Sequence, residues 1–213
     1  MQERKYTAKS TRKRILKEAE ILFAAKGFEG TGIEEIARNV GIRKSVIYYH
    51  FENKSQILQI LLDEFVAEGV AFKKGLFERY EKTFSSDLDK IVSEMIDFLS
   101  ARWRIVTILL MESLKNPSKL PLLDQWNFQS PATQEVVACA ERHHIDIPRS
   151  ITHDLEAMHE AFFMLSLPFI GYTIFADKWC EHMGYDKKKS RDNFVDSCLW
   201  YLRERMKKRS ESS

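Results

Sequence analysis

The groups best suited to binding a polyanion lie in one short run of the chain, between residues 43 and 54. One face of this run carries fixed cations, hydroxyl groups and an imidazole, with no acid among them, on Arg43, Lys44, Ser45, Tyr49 and His50. Such groups donate hydrogen bonds to phosphate oxygens and to base edges. Two interpretations follow. The run is either a surface that binds nucleic acid or the solvated basic face of two amphipathic core helices.

Two short helices joined by a glycine must position these side chains. Apolar residues at helical period predict the first helix, namely Ile33, Ile36, Ala37 and Val40. Thr31 and Glu34 are spaced as a capping box at its start. Gly41 predicts its end, because glycine adopts a left-handed conformation without a side-chain clash. The following helix is predicted to turn Ile42, Ile47 and Phe51 inward. This arrangement predicts a helix-turn-helix.

At these residues the chain resembles the TetR-type one-component transcriptional regulators. The similar parts are T-x-x-x-x-I-A from Thr31 to Ala37 and G-I-x-K-S-x-I-Y-Y-H-F from Gly41 to Phe51, with Lys54 opening the next helix. The close similarity covers residues 11–62, and beyond them only helical character and length agree. Arg43 stands where the family usually has a small capping residue, and Val46 where it often has a hydroxyl.

The resemblance implies a homodimeric regulator, a repressor rather than an activator, that binds a palindromic operator in double-stranded DNA. A small apolar or aromatic effector would release it. The third helix would enter the major groove, with Lys44 as the candidate guanine contact and Ser45 and Val46 at base edges. Phosphates would be held by Thr31, Tyr48, Tyr49, His50 and Lys54. Arg43, at the start of the third helix, completes the predicted DNA-binding set.

Charge is unevenly distributed along the 213 residues, whose net charge is +2. Residues 1–54 hold 12 Lys+Arg against 7 Asp+Glu, whereas the remainder holds 21 against 24. A basic end beside a mildly acidic body suits a polyanionic partner for the first part and a different role for the second. Three widely separated cysteines indicate neither a disulfide framework nor a zinc knuckle. No export leader opens the sequence, so we expect a cytoplasmic protein.

Helical periodicity without sustained alternation predicts an all-α fold. We expect an N-terminal three-helix helix-turn-helix DNA-binding domain over residues 1–53. A larger helical ligand-binding and dimerisation domain is predicted over residues 54–213. Asn53 and Gln56 predict the start of a fourth helix, which continues to Tyr80 and joins the two domains without a flexible linker.

The body is predicted to contain further helices. Their expected ranges are Ser85 or Ser86 to Leu99, Trp103 to Leu114, Leu122 to Phe128, Pro131 to Arg142, and Lys188 to Met206 followed by a disordered basic tail, Arg205 to Arg209. The most hydrophobic segment, 161–176, contains Pro168 and Gly171 and is too short to span a bilayer, so no membrane partner is expected. We expect this segment to be buried twice, by its own domain and by a second copy of the chain.

Aromatic and methionine side chains in the body have two interpretations. Most are expected to be ordinary core. Together they could also line an adaptable apolar cavity for the effector. The candidate ligand-binding residues are Trp103, Met111, Trp126, Phe128, Phe163, Met164 and Tyr172.

A helical metal-dependent enzyme or carrier is the alternative function. It would use Glu156 and His159, which are spaced i, i+3 on one predicted helix as in di-iron bundles. Such a bundle needs that step twice and two further glutamates, and the sequence has no His-x-x-x-His pair for a helical zinc site. No nucleophile elbow or glycine-rich phosphate loop occurs either. The sequence therefore predicts a protein that is not an enzyme and that needs no metal or cofactor.

Overall fold

The computed structural model of the chain describes residues 8–84, 86–115, 159 and 162–210. In chain order the helices are α1 (Ala8–Lys26), α2 (Ile33–Val40), α3 (Lys44–His50), α4 (Lys54–Tyr80), α5 (Leu88–Ser100), α6 (Trp103–Lys115), a π-helical segment (Phe162–Ser166), α7 (Leu167–Met183) and α8 (Lys187–Ser210). No strand occurs among the described residues, and the all-α prediction is confirmed.

The first three helices close around a shared apolar core, because each presents one stripe to the others. α1 packs on α2, and α2 packs on α3. The buried side chains are Ile15, Leu16, Ala19, Leu22 and Phe23 from α1, Ile36, Ala37 and Val40 from α2, Ile47 from α3 and Phe51 just after it. The buried residues of α2, Ile47 and Phe51 are among those that the sequence predicts to face inward, and the three-helix unit forms as expected.

The turn between α2 and α3 is built on Gly41. Its φ of 75° lies in the left-handed region, which glycine enters without strain. The Gly41 N–H donates to the Arg38 carbonyl at 3.1 Å, and the Ile42 N–H donates to the Ala37 carbonyl at 3.0 Å. The last carbonyls of α2 are therefore satisfied, and the start of α3 is fixed relative to α2.

The start of α2 differs from the prediction. Its N-cap residue is Gly32, and no side chain caps it. Thr31 lies one residue earlier and is buried, so its hydroxyl donates to the nearest acceptor inside the turn, the Gly27 carbonyl, at 2.9 Å. Glu34 stays on the surface. The predicted capping box between Thr31 and Glu34 is therefore wrong.

α4 is one continuous helix of 27 residues, roughly 40 Å long at about 1.5 Å per residue. The Asn53 side chain accepts a hydrogen bond from the Gln56 N–H at 2.9 Å, which confirms the predicted cap. The Gln56 side chain accepts from the Glu52 N–H at 2.7 Å. In a capping box the Gln56 side chain accepts from the N–H of the N-cap residue, Asn53, whereas here it accepts from the N–H of the residue before it.

Two apolar clusters hold the rest of the chain together. The larger is continuous with the core of the first three helices and includes side chains of α4, α5 and α6 and Ile170 of α7. The smaller joins α5 to α8 and has as its buried members Leu88, Val92, Ile96, Cys198 and Leu199. α6 also packs directly on α1, so the body contacts the first three helices at α6 as well as through α4.

α5 begins later than predicted, at Leu88 rather than at Ser85 or Ser86. A turn precedes it, in which the Thr83 carbonyl accepts hydrogen bonds from the N–H groups of Ser86 at 3.0 Å and Asp87 at 2.9 Å. These bonds hold the chain in a turn, so Asp87 becomes the N-cap residue.

The end of the chain also differs from the prediction. α8 continues to Ser210, so residues 205–209 are helical and not a disordered tail. The predicted helices over 122–128 and 131–142 lie outside the described residues.

The hydrophobic segment begins with the π-helical turn and continues as α7. Pro168 lies in the first turn of α7, a position that tolerates proline, and the helix continues through it. Within the ranges described, no helix is both long enough and apolar enough to cross a membrane. α7 leaves Phe175, Trp179 and Met183 exposed on the single chain.

Candidate nucleic-acid interface

α3 is anchored by one face and exposes the other. Ile47 is fully buried and Phe51, just after the helix, is 2% exposed, whereas Tyr48 is 49% and Tyr49 80% exposed. The other predicted DNA-binding residues of this segment divide into exposed Arg43, Lys44 and Ser45 and half-buried Val46 and His50. The exposed face therefore consists of the cations, hydroxyls and aromatic rings that the sequence singles out.

The start of α3 has no side-chain cap. Arg43 is the N-cap residue and makes no capping hydrogen bond, because a guanidinium has donors and no acceptor. The Arg43 carbonyl accepts the N–H of Val46 at 2.9 Å, which closes the first turn. The departure from the family pattern at Arg43 thus exchanges a cap for an exposed cation.

Lys44 is paired with an acid from the neighbouring helix. Its Nζ lies 2.9 Å from Oε1 of Glu34 and 5.9 Å from the centroid of the Tyr48 ring. The hydrogen bond between them raises the pKa of Lys44 and lowers the pKa of Glu34. Both groups are exposed, so the pair contributes little to stability. Sequence reasoning missed Glu34, because it lies ten positions earlier and only the packing of α2 on α3 brings it to Lys44.

Lys54 joins the first turn of α4 to the loop between α1 and α2. Its ammonium donates to the Phe28 carbonyl at 2.7 Å and to the Thr31 carbonyl at 3.0 Å. It also lies 4.2 Å from the centroid of the Phe28 ring, within range of a cation–π interaction. Lys54 therefore holds three elements together, a structural role that the sequence prediction did not include.

Thr31 supports the same loop from inside. The side chain is 1% exposed, and its only hydroxyl proton is given to the Gly27 carbonyl. A phosphate accepts hydrogen bonds and donates none at neutral pH, so the Thr31 hydroxyl could bind one only by leaving Gly27. The geometry favours a structural role for this side chain.

Two of the basic residues at the start of α1 are engaged within the protein. Arg14 donates a hydrogen bond to the Val40 carbonyl at the end of α2. The Arg12 guanidinium lies 5.3 Å from the centroid of the Phe51 ring and 4.0 Å from Oε1 of Glu64. These contacts tie α1 to the end of α2 and to α4, so the two arginines help to fix the position of α3.

The starts of α2, α3 and α4 surround a shallow depression of about 390 Å³. Four of the predicted DNA-binding residues line it, namely Thr31, Lys44, Tyr48 and Lys54. Glu34 lies in the same wall. The depression therefore brings residues from three separate helices to one accessible surface beside α3.

A second depression, of about 600 Å³, opens between α5, α6, α7 and α8. It brings together two of the predicted ligand-binding residues, Trp103 and Tyr172. Its rim is charged, since the Lys187 ammonium lies 2.8 Å from Glu181 and 3.6 Å from Asp177. The cleft is therefore open and mixed in polarity, whereas the sequence suggests an apolar cavity.

The other predicted ligand-binding residues do not line this cleft. Met111 is half-buried on α6 beside the turn between α1 and α2. Phe163 and Met164 lie on the π-helical segment and are about half exposed. The remaining two, Trp126 and Phe128, lie outside the described residues.

The residues of the alternative metal site are described only in part. Glu156 lies outside the described ranges, and the ring of His159 lies 4.6 Å from that of Phe163. Within the part of the chain that the structure describes, no three His, Cys, Asp or Glu side chains are grouped to hold a metal ion. Cys180 and Cys198 are buried thiols, and burial raises the pKa of Cys198 to about 11, which makes it a poor nucleophile.

Residues 15–61 match a family model described as bacterial regulatory proteins, tetR family. The match runs from within α1 through α2 and α3 into α4, which is the unit whose exposed face is described above. Over these residues the chain is similar to the TetR family. The family model describes bacterial regulatory proteins, and the curated relatives include a transcriptional regulator, so both agree with the function class predicted from the sequence.

Curated relatives match part of this chain. It is 31% identical over 91 residues to the TetC protein of transposon Tn10 from Escherichia coli, covering 39% of this chain and 46% of that protein. It is 41% identical over 44 residues to IcaR of Staphylococcus epidermidis, the negative transcriptional regulator of the biofilm operon icaADBC, covering 21% and 24%. The similarity therefore spans less than half the length of either relative.

The overall fold agrees with that of a solved TetR-family regulatory protein from Rhodococcus RHA1. The TM-score is 0.63 at 18% sequence identity, with 89% of this chain and 95% of that chain covered. At this identity the agreement establishes the fold: an N-terminal helix-turn-helix unit followed by a larger helical body.

Proposed function

We propose that this protein is a transcriptional regulator of the TetR type, a homodimeric repressor that binds a palindromic operator through α2 and α3 and leaves it when a small effector binds the body. The observation that carries the proposal is the exposed face of α3. It presents cations, hydroxyls and aromatic rings to solvent, while Ile47 and Phe51 anchor the opposite face in the core. An element anchored in this way can enter a major groove without unfolding.

In the proposed complex the residues of α3 divide between bases and backbone. Lys44 donates to a guanine, and Ser45 and Val46 lie at neighbouring base edges, with the Val46 methyl groups suited to a thymine methyl. Tyr48, Tyr49 and His50 hold phosphates and fix the register of the helix on the duplex. Arg43 adds a cation at the start of the helix.

Thr31 and Lys54 take different roles from those first expected. An ammonium has three N–H donors, and two of those on Lys54 are used by the Phe28 and Thr31 carbonyls. One N–H remains for a phosphate. We therefore assign Lys54 both to the loop and to the backbone of the duplex, and Thr31 to the loop alone.

Exposed apolar side chains on α7 and α8 support the homodimer. Phe175, Trp179 and Met183 recur every four residues along α7, and Trp200 lies on α8; each is at least half exposed on the single chain. Contiguous apolar surface of this kind marks an interaction site. A second copy covers it with the same surface in a two-fold dimer. Such a dimer places two copies of α3 about 34–36 Å apart, in successive major grooves.

The cleft between α5 and α8 is the proposed effector site. Trp103 and Tyr172 offer aromatic contact to an apolar or aromatic ligand, and the charged rim suits a polar group on it. A complete switch from about 1:99 to 99:1 requires the effector to prefer the released state by roughly 5.5 kcal/mol. The continuous helix α4 and the packing of α6 on α1 are the structural connections that can carry this change.

Titration of the purified full-length protein against duplex DNA at several salt concentrations tests the proposal. We expect the logarithm of the association constant to fall linearly with the logarithm of salt concentration, because the lysine and arginine side chains of the protein displace counterions from the DNA phosphates. Selection from random duplexes should recover a palindrome with half-sites about one helical turn apart. Absence of duplex binding at low salt, or binding that ignores salt, would contradict the proposal.

A matched pair of lysine variants tests the assignment of α3. Lys44→Ala should relax base preference at one position of each half-site by about 1–3 kcal/mol. Lys90→Ala removes an exposed, ion-paired lysine from α5, away from α3, and should leave the selected sequence unchanged. Equal effects of the two substitutions would show that Lys44 contributes only general positive charge.

A further inference from the structure

Glu34 places a carboxylate beside the Lys44 ammonium on the surface that α3 exposes. The Glu34 side chain is 74% exposed and that of Lys44 49% exposed, with Oε1 and Nζ 2.9 Å apart. Within the described residues neither group makes a second hydrogen bond, so Oε2 of Glu34 and two N–H groups of Lys44 remain available. The pair therefore presents an acceptor and a donor side by side.

A G·C base pair offers the complementary arrangement in the major groove. Guanine presents the acceptors N7 and O6, and cytosine presents the N4 amino donor next to them. We propose that Glu34 is a specificity-determining residue, and that Glu34 and Lys44 together read one G·C pair, the ammonium on guanine and the carboxylate on the cytosine amino group. This inference rests on the proposed DNA-binding function. An A·T pair keeps the purine N7 acceptor but has a donor in place of guanine O6 and an acceptor in place of the amino group, so the ammonium loses one of two acceptors and the carboxylate contact is opposed.

The charge of Glu34 adds discrimination against other DNA. On an unrelated duplex the carboxylate meets no cytosine amino group and only the negative field of the phosphates. It also holds the Lys44 ammonium, which would otherwise bind those phosphates without sequence preference. Glu34 thus weakens non-specific binding more than specific binding, and specificity depends on that difference.

Glu34 also has an ordinary structural explanation, and its neighbour controls for it. Acids in the first turn of a helix stabilise the positive end of the helix dipole, and both Glu34 and Glu35 lie in the first turn of α2. Glu35 is paired with Lys26 at the end of α1, not with a residue of α3. Glu35→Ala therefore removes the same charge from the same turn without altering the pair at Lys44.

The test compares the full-length wild type with Glu34→Ala and Glu35→Ala by selection from random duplexes, followed by titration on the selected site. A second duplex replaces the G·C pair assigned to Lys44 by A·T. We expect Glu34→Ala to reduce discrimination between these duplexes roughly tenfold and to tighten binding to unrelated DNA. Glu35→Ala should keep the wild-type motif and discrimination. Thermal unfolding confirms that both variants fold.

The outcomes separate this inference from the function on which it rests. If the wild type does not bind duplex DNA, the proposed function fails, and this inference fails with it. If the wild type selects a motif and Glu34→Ala selects the same motif with the same discrimination as Glu35→Ala, only the role of Glu34 is overturned. In a double-mutant cycle, Glu34→Ala and Lys44→Ala should be non-additive at the shared base pair, and additivity there would also refute joint reading.

Discussion

Replacing Lys54 by methionine separates two roles that the wild-type residue combines. The substitution keeps most of the side-chain stem and removes the ammonium that donates to the Phe28 and Thr31 carbonyls. If the loop contacts matter for stability, Lys54→Met should destabilise the protein even when no DNA is present. If Lys54 served only as a phosphate contact, substituting it would change the free energy of unfolding by no more than about 0.5 kcal/mol, as most surface substitutions do.

The expected loss follows from three contacts. Hydrogen bonds from a charged group contribute about 1.5–3 kcal/mol each when buried, and a cation–π contact adds about 0.5–1 kcal/mol at an accessible site. Lys54 is half-buried, so water replaces part of each interaction. We therefore expect Lys54→Met to lower the free energy of unfolding by about 2–3 kcal/mol, a large fraction of the stability of a typical domain.

Urea unfolding at a fixed protein concentration measures this loss, because the apparent stability of a dimer depends on concentration. Lys44→Met is the control, since it also removes a lysine charge but from an exposed ion pair, and its effect should be small. Lys54→Met should also weaken binding to all duplexes about equally, because the loop positions α2. Equal unfolding midpoints for wild type and Lys54→Met would refute the proposed role of the loop contacts.

Three further predictions concern the turn, the dimer and a buried amine. Gly41→Ala should lower the free energy of unfolding by about 1–2 kcal/mol, because φ at Gly41 is 75° and no atom lies within 4 Å of the added Cβ. Gly184→Ala is the control, since Gly184 also has a positive φ and open space around the added Cβ. Only Gly41→Ala should weaken DNA binding in a titration. Trp179→Glu should give a folded monomer by light scattering, whereas Leu199→Glu should unfold the chain by circular dichroism, because Leu199 is buried against α5. Burial lowers the pKa of Lys73 from 10.5 to about 8, so the unfolded state binds more protons between these pH values. Urea titrations should therefore show Lys73→Met more stable than wild type by about 1–3 kcal/mol at pH 7, with the difference shrinking towards pH 10.

Local patterns predicted the helices well, because each pattern depends on neighbours within one or two turns. The stripe of Ile36, Ala37 and Val40, the left-handed Gly41 and the Asn53 cap all form as expected. Helix ends were less predictable where a buried acceptor competed for a side chain. Thr31 shows this, because the Gly27 carbonyl takes its hydroxyl proton and the capping box does not form.

The candidate site was predictable in its exposed residues and not in its partners. The outward face of α3 follows from helical period alone, so Lys44, Tyr48 and Tyr49 could be named from the sequence. Glu34 and the loop contacts of Lys54 depend on how separate helices pack, and no spacing in the sequence encodes those distances. The proposed dimer shows the same limit. Leu199 of α8 packs within its own chain, whereas Trp179 of α7 is exposed, and the sequence alone does not distinguish the two.

Among the described residues, no gap in packing marks the predicted boundary between residues 53 and 54. One apolar cluster runs without interruption from Ile15 in α1 to Ile170 in α7. Lys54, the first residue of the predicted second domain, is bonded to carbonyls of the first. The end of α6 also reaches the turn at Gly27, where an added Cβ would lie 3.3 Å from Met111. Because a close-packed core transmits displacement instead of absorbing it, an effector that moves α6 must also move the Gly27 turn. Thr31 is hydrogen-bonded to that turn and lies just before α2. In the proposed mechanism the same movement therefore reaches α2, the helix that places Glu34 beside Lys44.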